Sequence, residues 1–504
     1  MHRPFNPIDR FILARLQQAK RVPRPVCDDA DFLRRSSLDL CGVIPTAEDV
    51  AEFMKQPSKD RRRHWIDVLL SRQMYADHWT SFWGDLLGER ANIRGVPRNA
   101  FRRYIHDNLK RNRPFDAWVR EMIAAEGTSE AAPQTAFLLT REEADPRKWA
   151  NALTVSVTQV FQGVQLKCAE CHDHPFEWWT QKDFEGMADF FGGARRRAYR
   201  NESITNRGRR IDVPFFEVVE NRRRARGTFF TGSRSEQGRG RAALAELVTR
   251  RDNPYFARVT VNRLWAKMMG TGLVNPADAI GPRNPASHPE LLDWLACEFI
   301  ESGYDLKHIL RLVANSRVYQ LSSDENVATL DPMRRDEPAD DERMAGSLFN
   351  AMPLRRMTAE QFYDSLLVAT GRYLPDDPRF EPSISTAYPP REGSFLRTFG
   401  VTDRMTLLPR DPSETIQQSL MLLNGDLINA AVKLHEEHPI RRWRARGHSQ
   451  AQIVEALFVQ FLTRGPGKSE RAAVMSYLGT NPKDEQWEDV QWALLNTREF
   501  QFIR

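Results

Sequence analysis

Apolar residues recur at helical spacing along most of the chain. In "NPIDRFILARLQQAK" Ile8, Phe11, Ile12 and Leu16 fall on one face, with Asn6 at an N-cap position, Pro7 at the first helical position and Asp9 in the first turn. "TAEDVAEFM" opens on Thr46 and places Asp49 three residues later, a capping-box-like start. "HWIDVLLSRQMYADHWTSFWGDLL" carries an aromatic and leucine stripe at helical spacing, the pattern of a core. "AFRRYIHDNLKRNRPFDAWVREMIAAEG" predicts two helices interrupted by Pro114, since proline removes a helical donor and its ring collides with the preceding turn. "KWANALTVSVTQVFQGVQLK" predicts an apolar helix running directly into Cys168. Up to that point the pattern is helix packed on helix.

After Cys168 the texture changes. "IDVPFFEVVE" and "GTFFTG" have alternating or aromatic-rich strand character, which predicts a small hairpin or sheet among arginine-rich stretches. Helices return at "NPYFARVTVNRLWAKMMG", where Asn253 and Pro254 repeat the cap-then-proline start, at "SHPELLDWLACEFIESG" and at "DLKHILRLVANSRVYQLSS". A polar break is expected from Ser322 to about Asn350, then another helical unit from "MPLRRMTAEQFYDSLLVATG", and a proline-rich ordered loop from Tyr373 to Arg410. "FLRRSSLDLCGVIPTAEDVAEFM" and "LFVQFLTRGPGKSERAAVMSYL" echo each other as helix, Gly/Pro turn, helix, too few copies for a solenoid. The expected fold class is mainly α, a multi-domain helical architecture with a small β element around residues 195–235. The expected division is a helical domain over 1–193, a basic linker with a possible hairpin over 194–241, and a second helical domain over 242–504.

Composition adjusts this picture in three ways. A chain of 504 residues, 41% hydrophobic, exceeds one core and fits about three domain-sized units. No apolar run is long enough for a membrane span, and "MHRPFNPIDRFILARLQQ" carries charges where a signal peptide needs an uninterrupted apolar stretch, so no signal peptide is read here. The net charge of +6 is concentrated in arginine between Arg195 and Arg241, without the interleaved aromatics of a stacking platform. That stretch reads as a solvated connection, and no specific nucleic acid is expected. Five cysteines, an odd number, exclude a disulfide-built scaffold; Cys41 and Cys297, among apolar neighbours, read as small core residues.

Cys27 also stands alone, and Cys168 and Cys171 carry the chemistry. "CAECHDHPFEWW" sets Cys168, Cys171 and His172 in the order C-x-x-C-H, which from composition alone would arise with a chance on the order of one in a thousand. Two thiols at this spacing can reach the two vinyl groups of a haem while the adjacent imidazole ligates iron. A zinc or iron site could instead use Cys168, Cys171 and one of His172 or His174, with Asp173 or a distant group completing four ligands, or the turn could be purely structural, its two thiols free or joined as a disulfide. His174 before Pro175 reads as a cap or hydrogen-bonding support more than as a ligand, and sits too close to His172 to reach the opposite haem face. A sixth ligand would come from elsewhere: Met187 in "DFEGMADFF" is the nearest candidate, with Met268 and Met269 behind it. Trp178 and Trp179 could wall a pocket or close the turn. No G-x-S-x-G, H-E-x-x-H or phosphate loop appears, so no catalytic constellation is named.

Several long segments also carry a resemblance. "NPIDRFILARL", "LRRSSLDLCGVIPTAEDVAEF" and "CAECHDHPFEWWTQKDFEGMADFF" resemble DUF1549, the planctomycete cytochrome-type domain PSCyt2. "NPYFARVTVNRLWAKMMGTGLVNPADAI", "LRRMTAEQFYDSLL", "QSLMLLNGDLIN" and "WALLNTREFQFI" resemble its companion DUF1553, or PSD1. The resemblance implies covalent haem c at Cys168 and Cys171 with His172 as axial ligand, an extracytoplasmic location and a redox or assembly partner protein. Relatives commonly add an export signal and a separate cytochrome c domain, neither of which is read in this sequence.

Overall fold

A computed structural model describes residues 5–200, 205–206, 209–210, 214–221, 225–236, 239–323, 348–373, 380–401, 404 and 415–504. The chain is mainly α with small antiparallel sheets, as the periodicity predicts. It divides into two compact units, one of Met1–His78, Ala314–Asp403 and Leu408–Arg504, the other of Trp79–Val313 and Arg404–Leu407. These units follow packing and are discontinuous in sequence, whereas the division at 193 and 241 follows sequence texture.

In the first unit, the helix Pro7–Gln18 starts in a full capping box: Asn6 Oδ1 accepts from the Ile8 amide, and the Asp9 carboxylate accepts from the Asn6 amide. Ala47–Lys55 starts the same way from Thr46 and Asp49. Both halves of the internal echo form helix pairs, Asp29–Cys41 with Ala47–Lys55 and Gln450–Leu462 with Lys468–Leu478. Arg34 and Arg35, fully buried on Asp29–Cys41, spend their donors on backbone carbonyls. Arg34 bonds the carbonyls of Phe461 (2.9 Å) and Phe500 (2.7 Å), and Arg35 those of Tyr319 (2.6 Å), Leu321 (2.8 Å) and Arg504 (2.9 Å). The C-terminal strand Phe502–Ile503 then pairs with Arg355–Arg356.

The second unit has an aromatic centre. Trp83 lies 4.5 Å from Phe115, Phe115 meets Trp118 edge-on at 4.9 Å, and Phe115 stacks on Phe256 at 5.6 Å. Burying an aromatic side chain of this size contributes about 1.5–3 kcal/mol. The proline break holds: Ala100–Lys110 and Phe115–Ile123 are separate helices with Pro114 between them.

Four expectations change. The small sheet exists, but Pro214–Glu220 pairs with Ala194–Arg200, from Ala194↔Glu220 to Arg200↔Pro214, and with Gly127–Thr128 on its other edge. "GTFFTG" forms no strand; Phe229 and Phe230 stack at 4.6 Å and Phe230 packs edge-on against Trp179 at 5.1 Å, so ring burial replaces ladder pairing. Cys297 is exposed, because Pro289–Glu301 turns Leu291, Leu292, Leu295 and Phe299 inward and Cys297 outward; Cys41 is buried as expected. The arginine-rich stretch is not wholly solvated: Arg241 is fully buried, its side chain ion-paired with Glu220 (3.4 Å) and donating to the carbonyl of Ala125, and its amide donating to Glu220 Oε1 (2.9 Å). The polar break falls largely on 324–347, and part of the proline-rich loop on 374–379, 402–403 and 405–410, outside the described residues.

Candidate functional site

The approach to the C-x-x-C-H turn is fixed before the motif begins. The helix Pro146–Val157 continues as a wider π turn over Thr158–Gln162 and stops at Gly163, rather than running into Cys168. Gly163 has φ +65°, and a β-carbon there would sit 2.8 Å from Val259 Cγ2, so both conformation and space require glycine. The free carbonyls of this helix end are taken up by the buried Arg263, which donates to the oxygens of Gln159 (2.7 Å) and Val160. Burial pulls the Arg263 pKa down to about 10. Gly163 O accepts from the Ile280 amide (2.8 Å).

Cys168 lies on a single 3₁₀ turn, Lys167–Glu170, in which Ala169 is buried, and Cys171 caps the end of that turn. Both thiols are free and exposed, so the disulfide alternative is not formed. His172 is exposed too, and its Nδ1 lies 2.7 Å from the Asp173 carbonyl oxygen. A carbonyl only accepts, so Nδ1 carries the proton and Nε2 keeps its lone pair.

His174 is the reverse case. Its Nδ1 accepts from the amides of Phe176 (3.2 Å) and Glu177 (3.0 Å), which leaves the proton on Nε2. The two imidazoles therefore hold opposite tautomers, and only His172 offers a lone pair outward. His174 caps the "HPFE" turn, while its own amide bonds Trp179 O (2.8 Å) and closes the loop. Asp173 Oδ1 accepts from the Gln181 amide (2.8 Å) at the start of Gln181–Ala188, whose capping box is Thr180 with Asp183.

Trp179 is buried among Phe230 and Tyr255 and anchors the turn. Phe176 and Trp178 are 64% and 61% exposed, leaving an apolar surface beside the thiols; Arg283 lies over the Phe176 ring at 5.6 Å. Met187 is fully buried on Gln181–Ala188, and Met268 and Met269 are buried on Phe256–Met269. Among the described residues, no group of three or more His, Cys, Asp and Glu is arranged to hold a metal ion. A polar cavity of about 450 Å³ opens beside the turn, lined in part by Asn151, Glu170, Gln181, Phe184 and Arg195. Sequence reasoning named Cys168, Cys171 and His172; it did not find Arg263, whose role depends on a contact across a hundred residues of chain.

A mainly α protein that displays two free thiols and an imidazole on one exposed turn is the class these features define. Residues 7–196 match the family model PSCyt2, described as a protein of unknown function (DUF1549), and residues 240–478 match PSD1, described as a protein of unknown function (DUF1553). The chain belongs to the family that joins these two domains. No curated protein and no solved structure matches the chain.

Proposed function

We propose that the chain is a c-type haem protein that transfers single electrons or binds a small ligand at iron, with Cys168 and Cys171 holding the haem through thioethers and His172 Nε2 as axial ligand. The observation that carries this reading is the His172 tautomer: the Nδ1–H bond to the Asp173 carbonyl puts the lone pair of the neutral imidazole on Nε2 and orients the ring, as backbone carbonyls do for ligating histidines. The donor set agrees with it, since both thiols are unpaired and reachable. The exposed rings of Phe176 and Trp178 offer the apolar contact a porphyrin face needs. When bound, the haem supplies one-electron chemistry or an open iron position. The protein's own residues fix the ring orientation through Asp173, hold the turn shut through His174, and keep it in place through Trp179.

His174 takes no part in ligation on this reading, because its lone pair is spent on two amides. Thioether formation takes place outside the cytoplasm, so the holo-protein is extracytoplasmic and its partner is a redox protein. The test is to produce the chain in a host that matures cytochromes c. The expected product is red, with a pyridine haemochrome that survives acid-acetone extraction, leaves one thioether in Cys168→Ala and none in the Cys168→Ala/Cys171→Ala pair. A colourless protein from that host, zinc-loaded or metal-free, sinks the proposal.

A further inference from the structure

The geometry points to an oxyanion-binding site at Arg141, in the unit formed by Trp79–Val313 and Arg404–Leu407 and independent of the haem reading. The stretch "GDLLGER" at the end of the helix Gln73–Leu87 places two glycines four residues apart, and each makes room for a guanidinium group. A β-carbon on Gly84 would lie 2.8 Å from Arg404 Nη1, and one on Gly88, where φ is +74°, would lie 2.7 Å from Arg141 Nη1 and 3.0 Å from Nη2. The two arginines meet very different surroundings.

Arg404 is neutralised. It bonds Asp85 Oδ1 at 2.5 Å, pairs with the fully buried Glu89 and donates to Ser81 O at 3.2 Å. Glu89 also takes Arg102 in a two-point contact at 3.2 and 3.1 Å. Arg141 has no such partner. It is half-buried, yet it makes no hydrogen bond and no ion pair with any described residue. Arg90, a second cation acting on it, donates to the Thr140 carbonyl at 3.0 Å. The adjoining carboxylate, Glu142, is held by Arg196 at 2.8 Å and Arg94 at 3.4 Å.

Arg102 and Arg404 are thus held by Glu89 and Asp85, while the charge that bears on Arg141 is that of Arg90. Burial and then Arg90 pull the Arg141 pKa down to about 10, the signature of a cation held without its counter-charge. An unpaired, partly desolvated guanidinium costs free energy that an oxyanion would return, and its planar fork suits a carboxylate, sulfate or phosphate group. The unused fork specifies a small anionic ligand, or the anionic group of a larger one, seated at Arg141.

The test titrates the full chain with sodium phosphate, sodium sulfate and sodium acetate, each against sodium chloride at equal ionic strength, by thermal denaturation and calorimetry. At least one oxyanion is expected to raise the melting temperature saturably above chloride; which one does so separates a phosphate-type ligand from a carboxylate. Arg141→Gln should lower the affinity on the order of tenfold, Arg141→Lys should weaken it less, and Arg147→Gln, at an 82% exposed arginine, should leave it unchanged. Because Arg141→Gln could unfold the chain, the wild type gives a second readout: the same anion should protect Arg141 from phenylglyoxal in a peptide map. Equal response to all salts, equal response in Arg141→Gln, or unprotected modification of Arg141 each overturns the site.

Discussion

His172 and His174 stand two positions apart in one exposed turn, and their hydrogen bonds assign them different work. The lone pair on His174 Nδ1 holds two amides, the service an N-cap side chain gives a helix, and removing such a cap costs about 1 kcal/mol. His174→Ala should therefore speed hydrogen exchange at the Phe176 and Glu177 amides, while His174→Asn, which can accept the same bonds, should restore most of the protection. Unchanged exchange in His174→Ala would remove His174 from the turn's support. Two groups in the other unit set a pH dependence of opposite signs. Asp364 accepts from the amide (2.8 Å) and the hydroxyl (2.6 Å) of Ser383. Desolvation nevertheless pushes its pKa up to about 7, with Glu360 and Asp77 adding to the rise. The folded carboxyl keeps its proton from about pH 4, where an unfolded aspartate loses it, up to about 7. Its contribution is therefore complete below pH 4 and is lost as pH rises through 7, by at most about 1.4 kcal/mol per pH unit. Buried His438 accepts from the Ile440 amide at Nδ1 and donates from Nε2 to Gln491 Oε1 (3.0 Å). Burial and then His435 pull its pKa down to about 3, so its contribution is present above about pH 6.5 and is lost as pH falls toward 3. Between about pH 4 and 6.5 the two slopes oppose each other. Asp364→Asn should leave a urea midpoint that climbs more steeply with pH than the wild type's, and superimposable profiles would refute the assignment.

At the scale of elements, what a sequence discloses depends on how far away the deciding contact lies. The starts at Asn6 and Thr46 are readable because a cap and its partner are three residues apart, and each forms as its spacing predicts. The strand Ala194–Arg200 hides behind its arginines, since its pairing with Pro214–Glu220 is fixed by a partner some twenty residues on. Cys297 misleads because every neighbour in "DWLACEFI" looks apolar, although helical geometry turns that one position to water. In the motif, the order of Cys168, Cys171 and His172 is legible, but the histidine tautomers and the clamp on the approaching helix are not. That clamp can be tested apart from the motif. Gly163→Ala puts a methyl group 2.8 Å from Val259 Cγ2 at a φ of +65°, and should destabilise the chain by more than about 1 kcal/mol. Arg263→Gln should lower stability by a comparable amount, since the carbonyls of Gln159 and Val160 lose their donor. If the helix end positions the turn, both variants should also lower the yield of covalent haem per folded chain; full haem content in a measurably destabilised Arg263→Gln would separate helix from turn.

At the scale of the whole molecule, the unit that holds the N-terminus is assembled from three stretches of chain, and arginines join them. Arg34 reaches the carbonyls of Phe461 and Phe500, and Arg35 those of Tyr319, Leu321 and Arg504, so one helix near residue 35 gathers backbone from the middle and the end of the sequence. These guanidinium groups have replaced water almost entirely with main-chain oxygen. Burial and then Arg504 push the Arg34 pKa well below its usual value, so the fold tolerates this charge for the sake of the carbonyls it satisfies. Truncating Arg34 strands two buried carbonyls and opens a cavity. Arg34→Ala should therefore cost about 2–4 kcal/mol, and Arg34→Lys nearly as much, because one ammonium on a flexible stem cannot span acceptors placed for a planar fork. Deleting residues 498–504 should act the same way from the other side, removing the Phe500 and Arg504 acceptors and the strand pairing of Phe502–Ile503 with Arg355–Arg356. Since the C-x-x-C-H turn lies in the other unit, the folded fraction of Arg34→Ala should carry as much haem per chain as the wild type. A urea titration followed by far-ultraviolet circular dichroism, paired with haem content of the soluble fraction, reads both halves of this prediction. An Arg34→Ala chain as stable as the wild type would show that the gathered carbonyls find water instead, and that the arginine pair does not hold the three stretches together.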